Sequence, residues 1–434
     1  MRAQTILAAV ALLSVICLAF IPAPTGAADT SAGKSAIQSD RVIAGGPKDF
    51  VEVRHVRLQG SNEAIGRALA EIARERYQQK PQPSSDPLRT RVQRRYIQER
   101  FPVLFDRMRG VAGGFGRAVD DDAFNFSGLW YFAGLKPGCS VVYFPPALTA
   151  TGGGIVSRNY DFTTGTLFGM RPPPGELGCT ARPYLIELHP DRGYSSLSMC
   201  AYDLLSGVLD GMNSEGLTVA LLADDELIAK YKMEPAGDTA VGLGILQMQR
   251  LLLDTCANVE EAKEALLLTK QYYEVVPVHY LVADRHGRSF VWEYSQAHNR
   301  EYIVENPGKP LITTNFSLHC YLEEEKNPPS AAKAKAVCPR YCKLAERLAS
   351  TGEKLTPEMI KETHKTVDLV QPVPANSPRA AHRTLWHALY FPEQRKMQVS
   401  FYLRDQPNAE QPDKVQIVRS EYLEFKLEKE SARK

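Results

Sequence analysis

The sequence predicts an α+β protein in which β-sheets are covered by helices, with a mainly helical segment in front. From residue 139 onward, short β-branched or aromatic runs such as CSVVYF and HYLVAD are bounded by Gly, Pro and Asp, which is typical of strands. Two helical stretches interrupt these runs, and further strands follow them. Strands, then helices, then strands again favour sheets that bury one face under helices.

The first residues consist of a basic start, an apolar run and small residues around Ala27 and Ala28. This layout is typical of a secretory signal peptide, which we assign to residues 1–28. An uncleaved membrane anchor is the alternative, because the apolar run is long. Residues 29–48 are rich in Ser, Ala, Gly and Lys, and we expect them to be disordered. The sequence therefore predicts a secreted or periplasmic protein, or one of a lysosome-like compartment if it is eukaryotic.

Residues 49–138 are predicted to form a helical pro-segment or small subunit. A strand-like run, FVEVRHVRLQG, opens the segment. An amphipathic helix follows, starting at the capping residue Ser61. A second helical stretch is interrupted at Pro102, since proline breaks the helical hydrogen-bond pattern.

Residues 139–434 are predicted to form the catalytic domain. Its two helices are GLGILQMQRLLLDT and NVEEAKEALLL, the second capped by Asn258 with Glu261 three residues later. Near the C-terminus, HRTLWHALYFPEQRKMQVSFYL predicts a hairpin that turns at Pro392 and Glu393.

Composition and motifs exclude several classes of partner. Lys and Arg (52) nearly balance Asp and Glu (50), whereas binding to nucleic acid requires a clustered positive excess. We therefore predict no nucleic-acid partner, and no membrane contact beyond an N-terminal anchor. GGGIVS lacks the Lys-Ser/Thr of a phosphate-binding loop, and the His and Cys residues lack the spacing of a metal site. No cofactor and no metal are predicted.

Removal of the signal peptide leaves seven cysteines, and an odd number implies a free thiol or an intermolecular bridge. Cys179 with Cys200 is one plausible disulfide. Cys320 with Cys338 or Cys342 is another. The spacing leaves the connectivity open.

Cys139 directly follows Gly138 at the start of a predicted strand, and SRNYDF ends the next strand. Adjacent strands would bring Arg158 and Asp161 close to the cysteine. A guanidinium favours the thiolate form, which is the nucleophile. If the bond between Gly138 and Cys139 is cut by the protein itself, the new α-amine can act as general base, held by Asp161.

Two further segments predict hydrogen-bond donors for an oxyanion. GMNSEGLTVALLAD ends near Ala223, whose backbone N–H is one candidate, and Asn315 in LITTNFS offers a side-chain amide. Asn315 also begins a glycosylation sequon with Phe316 and Ser317. A glycan there would block the site, so either the sequon is buried and unused or the role of Asn315 is wrong.

The ordered series GCS, SRNYDF, GMNSEGL, RLLLDTCANVEEAKEALL, HYLVADRHGRSFVWE and ITTN resembles the cysteine-type N-terminal-nucleophile hydrolases. The resemblance covers about residues 55–403. That superfamily includes choloylglycine hydrolase, penicillin V acylase and acid ceramidase. The helical preface and the Gly-Cys bond look most like the acyl-CoA:6-aminopenicillanic acid acyltransferase branch. The resemblance implies a four-layer αββα sandwich of two antiparallel sheets.

The resemblance also implies roles for individual residues. Ser157 stands where the family usually has a glycine, and the family's late arginine matches either Arg379 or Arg383. The remaining positions are Cys139 as nucleophile, Gly138 and Cys139 as the cleavage site, Arg158 and Asp161 beside the nucleophile, Asn315 as the oxyanion asparagine, and Ala223 as the backbone donor.

The predicted function is that of an exported, self-processing amidohydrolase or acyltransferase that cleaves a linear carbon–nitrogen amide bond through an acyl-thioester on Cys139. Its expected partners are a small acyl amide substrate and its own pro-segment, retained as a small chain. One alternative is a papain-like cysteine peptidase, although the sequence lacks the Cys-Gly-Ser-Cys-Trp-like helix start of that class. The other is a non-catalytic secreted protein that keeps the fold.

Overall fold

The computed structural model describes residues 35–131, 138–166, 169–225, 240–273, 276–295, 297–324, 327–352, 354–370, 373, 377–407 and 415–428. The predicted signal peptide and the residues just before Gly138 lie outside these ranges. The described chain is an α+β protein with two large sheets, as the sequence predicts. Among the described residues, no helix has the length and apolar character needed to cross a membrane.

The larger sheet contains nine strands. All neighbours pair antiparallel except β2 and β7, which run parallel. In spatial order the strands are β1 (Ile37–Gly45), β2 (Glu52–Gly60), β7 (Tyr184–Pro190), β8 (Ser196–Cys200), β9 (Val208–Asn213), β10 (Thr218–Ala223), β11 (Val278–Ala283), β12 (Ser289–Ser295) and β13 (Arg300–Val304).

Strand β1 corrects one prediction. Residues 29–48 were expected to be disordered, but residues 37–45 pair with β2 along the sheet edge. The polar composition has a physical reason, since an edge strand leaves side chains such as Ser39, Asp40 and Val42 exposed or half-buried. Strand β2 lies inside the sheet, so the segment 49–138 contributes a sheet strand as well as helices.

The second sheet contains seven strands, including one that pairs outside the main path. The predicted hairpin is present, with a short helical turn over Pro392–Gln394. In spatial order the strands are β14 (Leu311–Thr313), β5 (Gly138–Phe144), β6 (Ile155–Thr163), β15 (His382–Phe391), β16 (Lys396–Pro407) and β17 (Val415–Arg419), with β18 (Leu423–Lys426) also paired to β16. A separate ribbon joins β3 (Gln82–Pro83) and β4 (Phe124–Asn125).

Helix boundaries follow the sequence signals closely. Ser61 accepts a hydrogen bond from the Ala64 N–H at 3.1 Å, and Asn258 caps two N–H groups of its helix. The predicted break at Pro102 separates two helices. The helices are α1 (Asn62–Tyr77), α2 (Pro87–Arg100), α3 (Pro102–Gly114), α4 (Ile245–Thr255), α5 (Val259–Leu268), α6 (Ala331–Ala334), α7 (Pro339–Ala349) and α8 (Pro357–Lys365).

Contacts between elements follow the order helix, sheet, sheet, helix. Helix α4 packs on β9 and β10, β10 packs on β5 of the other sheet, and α8 packs on β6. The core between the sheets therefore contains the start of β5, where the predicted nucleophile lies.

The helical preface is tied to the rest of the protein. Helices α1 and α3 pack so closely that a Cβ on Gly66 would lie 2.0 Å from the Arg107 carbonyl oxygen. Arg107 is fully buried and forms a two-pronged ion pair with Asp254 of α4, with nitrogen–oxygen distances of 2.7 and 3.2 Å.

Candidate active site

The register of β5 against β6 brings Cys139 and Arg158 together. Cys139 pairs with Tyr160, and Val141 pairs with Arg158, so Cys139 and Arg158 lie on the same face of the sheet. An Arg158 Nη2 hydrogen bond reaches the Cys139 sulfur at 3.5 Å. The arginine thus contacts the sulfur directly, in the uncut chain that the structure represents.

Asp210, which the sequence analysis missed, anchors Arg158 from the other sheet. Arg158 Nε donates to the Asp210 carboxylate at 2.8 Å, and Trp386 and Tyr390 donate to the same group. Burial alone would lower the pKa of Arg158, but Cys139 and Asp210 raise it above its ordinary value. Arg158 Nη1 is buried and has no hydrogen-bond partner within the described part of the chain.

The pKa of the Cys139 thiol differs from the prediction. Burial raises its pKa to about 11, and Arg158 and Arg340 only partly oppose this rise. The expected thiolate is therefore wrong for the uncut chain, in which Cys139 is a buried, neutral thiol at pH 7. The desolvation cost of a charged sulfur outweighs the attraction of the guanidinium.

Asp161 lies on the opposite face of β6 from Arg158, three residues further along the strand. Its carboxylate pairs with Arg340 at 2.8 Å and accepts a hydrogen bond from Thr384 at 2.6 Å. Burial raises its pKa above the usual range, although Arg340 and Thr384 act against this. Asp161 is connected to Cys139 through Arg340, which also donates to the Cys139 carbonyl at 2.9 Å.

Asn315 lies beside the backbone of Cys139. Its side-chain oxygen accepts the Cys139 N–H at 2.5 Å and an Arg340 N–H at 2.7 Å, whereas its amide nitrogen donates to the Ala223 carbonyl at 2.6 Å. Because Cys139 and Arg340 both donate to the side-chain oxygen of Asn315, the orientation of this amide is fixed. The amide nitrogen of Asn315 therefore lies on the side of Ala223, where the backbone donor was predicted.

Ala223 ends β10 next to this asparagine. The Asp224 N–H donates to the Pro277 carbonyl at 2.9 Å, which makes that pair a hydrogen-bonded one in the antiparallel ladder with β11. Because bonding alternates along such a ladder, the N–H and C=O of Ala223 point away from β11, on the side of Asn315. The predicted backbone donor therefore lies near the predicted side-chain donor.

The sequon at Asn315 is buried. Asn315 is 6% exposed and Ser317 is fully buried. A glycan does not fit there, so the first of the two alternatives, a buried and unused sequon, fits the structure.

Arg340 at the start of α7 is the second residue that the sequence analysis missed. It contacts Cys139, Asp161 and Asn315 at once. Of the two arginines proposed for a late position in the site, Arg383 is paired with Asp405 and Arg379 is exposed. Pro339 signals a helix start, but nothing local in the sequence connects the following arginine to a cysteine 201 residues away.

The seven described cysteines are all free thiols, so the bridges considered from the sequence are absent. The described residues contain no group of three or more His, Cys, Asp or Glu side chains arranged to hold a metal ion.

Several solved structures resemble this chain weakly. A conjugated bile acid hydrolase variant from Clostridium perfringens is 14% identical, with a TM-score of 0.41 over 67% of this chain and 97% of that one. Penicillin V acylase from Agrobacterium tumefaciens is 16% identical (TM-score 0.33, 63% and 84% of the chains), and the Caenorhabditis elegans N-acylethanolamine-hydrolyzing acid amidase ortholog is 18% identical (0.34, 64% and 99%). Similarity at this level carries no inference about the substrate. Comparison with curated proteins gives no match.

The model of the acyl-coenzyme A:6-aminopenicillanic acid acyl-transferase family matches residues 149–406, which is more than half of the chain and follows shortly after Cys139. This match confirms the relationship predicted from the order of the motifs. It also confirms the predicted enzyme class, a hydrolase or acyltransferase of amide bonds. The chain belongs to the acyl-coenzyme A:6-aminopenicillanic acid acyl-transferase family.

Proposed function

We propose that this protein cuts itself between Gly138 and Cys139 and then acts on linear amide bonds with the Cys139 thiol. The supporting observation is that Cys139 is 0% exposed while its N–H and its carbonyl are held by Asn315 and Arg340. A buried thiol reaches its own preceding peptide bond before it reaches any external substrate. Cleavage there separates the new chain end at Gly138 from Cys139 and gives the substrate access to the sulfur, while the rest of the preface stays bound.

The cutting step transfers the Gly138 acyl group from nitrogen to sulfur. The Cys139 thiol attacks the Gly138 carbonyl carbon and gives up its proton, the carbon–nitrogen bond breaks, and the nitrogen takes up that proton to become an amine. Water then hydrolyses the thioester, which leaves a Gly138 carboxylate and the free thiol. Asn315 supports this step, because its oxygen already accepts the hydrogen on the leaving nitrogen.

The mature enzyme uses the new α-amine as its base. An α-amino group has an unperturbed pKa of about 7.7–8.0, so it can take the thiol proton near neutral pH. The thiol then attacks the amide carbonyl of the substrate, forms an acyl-thioester and releases the amine product. Water or an amine acceptor completes the cycle as hydrolysis or acyl transfer.

Charges around the sulfur support these steps. Arg158 stabilises the thiolate as it forms, and its free Nη1 is a donor for the reacting carbonyl. The side-chain amide of Asn315 and the backbone N–H of Ala223 are proposed to bind the oxyanion. Asp161 acts through Arg340, which orients both Asn315 and the backbone of residue 139.

Export and the fate of the preface are part of the proposal. We infer that residues 1–28 direct secretion or transport to an equivalent compartment. The preface stays bound as a small chain, because β2 lies between β1 and β7 and the Arg107–Asp254 pair is buried. A papain-like mechanism is less consistent with the site, since Cys139 lies in a strand and its sulfur contacts a guanidinium.

Intact mass and N-terminal sequencing of the exported protein test the proposal. We expect two chains, the larger one beginning at Cys139, and activity on a chromogenic acyl amide. The Cys139→Ala variant should remain one inactive chain. A wild-type protein that is active while still full length would rule out self-cleavage. An inactive but correctly cut protein would favour the non-catalytic alternative.

Adding a primary amine to the chromogenic assay separates the two reaction types. An acyltransferase gives an acylated amine as the main product, whereas a hydrolase gives the free acid.

A further inference from the structure

Outside the site of Cys139, a second cysteine lies in an arrangement that activates thiols. Of the seven cysteines that the structure describes, six are buried and Cys320 is exposed. Its sulfur lies 3.5 Å from His319 Nε2, and His319 Nδ1 lies 2.8 Å from the Glu293 carboxylate. A nucleophile, a histidine within hydrogen-bond reach and a third group that orients the histidine form the general pattern of an activated nucleophile.

The carboxylate of Glu293 is held firmly. It accepts the backbone N–H groups of Leu318 and His319 at 2.8 and 2.9 Å, in addition to the imidazole. His279 lies 3.4 Å away on the other side. Burial raises the pKa of Glu293, but its interactions with His279 and His319 outweigh burial and lower the pKa to about 2. Glu293 is therefore ionised at neutral pH and fixes the histidine ring.

The imidazole of His319 is charged at neutral pH. Burial lowers its pKa, but hydrogen bonds and charge interactions with Cys320 and Glu293 raise it to about 10. Tyr302 stacks on the ring, with 4.7 Å between centroids and 15° between planes. A cation against an aromatic face is favourable, and the contact also holds the ring in place.

Three of the buried cysteines differ from Cys320, because burial raises the pKa of their thiols. Burial raises the pKa of Cys179 and of Cys200 to about 12, and that of Cys256 to about 11. Such thiols stay protonated and are shielded from solvent. Cys320 combines access to solvent with a histidine that contacts its sulfur.

We propose that Cys320, supported by His319 and Glu293, is a site of reversible thiol–disulfide exchange with small-molecule disulfides. The Cys320 sulfur attacks one sulfur of the disulfide, a new sulfur–sulfur bond forms, and the old one breaks. The departing thiolate takes the electron pair and then a proton from solvent. Cys320 is oxidised to the mixed-disulfide level, and the departing half is reduced to a thiol.

The test treats the full-length protein with oxidised glutathione and follows each cysteine by peptide mass mapping. A Ser350→Cys variant supplies an exposed reference thiol, at the end of α7, in the same molecule. We expect Cys320 to form the adduct about tenfold faster than this reference at pH 7. Dithiothreitol should remove the adduct. An equal rate at both thiols would overturn the proposal.

The His319→Gln variant tests the role of the imidazole and should bring Cys320 to the reference rate. His286→Gln is the control, since His286 is an exposed histidine of another turn, and it should leave the rate unchanged. If His319→Gln fails to fold, the rates of the two thiols in the chain that carries only Ser350→Cys decide. Equal rates there would refute the activation of Cys320.

Discussion

The side-chain oxygen of Asn315 accepts a hydrogen bond from the backbone N–H of Cys139 at 2.5 Å. That nitrogen belongs to the peptide bond at which we propose cleavage, so Asn315 contacts the leaving group of the first reaction and the catalytic amine of the second. Arg340 donates to the same oxygen and keeps the amide nitrogen on the side of Ala223. Both reactions therefore depend on one amide held in one orientation.

Replacing Asn315 should separate its acceptor and donor roles. Asn315→Asp keeps an acceptor for the Cys139 nitrogen but loses the amide hydrogens, so we expect cutting with poor turnover. Asn315→Ala loses both functions and should cut slowly as well. Loss of one oxyanion donor costs about 2.7–4 kcal/mol, or about a hundred- to a thousandfold in kcat. Gel analysis of cutting and kcat on the same samples check this, and an Asn315→Ala enzyme of normal rate would contradict it.

Arg340→Ala should slow both cutting and turnover by about tenfold or more. The variant loses hydrogen bonds to Cys139, Asp161 and Asn315, and hydrogen bonds to charged groups contribute about 1.5–3 kcal/mol each. Arg340→Lys should recover only part of the rate, because one ammonium cannot replace a guanidinium fork. The exposed Arg379→Ala variant is the control and should behave as wild type. Similar effects from both alanine variants would argue against a specific role for Arg340.

A buried chain of hydrogen bonds runs from the residue after the nucleophile toward the surface. Ser140 contacts His364 at 2.9 Å, and Ser157 contacts His364 and His387 at 2.6 and 2.9 Å. His387 contacts the partly exposed Tyr422 at 2.6 Å. Burial lowers the pKa of His364 to about 3, helped by the charge of Arg158 nearby, and burial also lowers the pKa of His387.

These histidines predict a loss of stability in acid. A folded-state pKa below the unfolded value of about 6.5 means that protons bind preferentially to the unfolded chain. The stabilising contribution of His364 is complete above about pH 6.5 and falls as the pH drops toward about 3, by at most about 1.4 kcal/mol per pH unit. Melting temperatures between pH 7.5 and 4.5 measure the effect. His364→Gln should flatten the dependence, whereas the exposed His286→Gln should not; equal slopes in all three proteins would contradict the prediction.

Removing the buried arginine of the preface should destabilise the whole protein. Arg107→Ala leaves Asp254 buried with one partner fewer, and breaking a buried pair costs about 3–5 kcal/mol. Arg109→Ala, which removes a half-exposed arginine on the same helix, is the control and should change little. Denaturant unfolding in the uncut Cys139→Ala background gives both values. A loss of stability that is confined to the helical preface would show that the preface unfolds independently of the rest of the protein.

The sequence predicted those features that depend on local patterns. Capping residues set the starts of α1 and α5, Pro102 set a helix boundary, and alternation along β5 and β6 brought Cys139 and Arg158 together. Each of these depends on residues close together in the chain.

Features that depend on tertiary contacts were missed. Arg340 and Asp210 reach the site from a helix and from the other sheet, and neither lies in a motif. Strand β1 was predicted to be disordered because an edge strand has a polar composition. The pKa of Cys139 depends on complete burial, which the neighbouring residues do not reveal.

The place of β2 between β1 and β7 has a consequence for the life of the molecule. The uncut chain folds as a unimolecular process, with both parts held at high effective concentration. After cleavage between Gly138 and Cys139, the same sheet joins two polypeptides. Refolding then becomes second order in the concentration of the protein. Unfolding by heat or denaturant should then be reversible for the Cys139→Ala precursor but largely irreversible for the dilute mature enzyme. Each molecule would have a single opportunity to assemble, before its first catalytic act removes the covalent link.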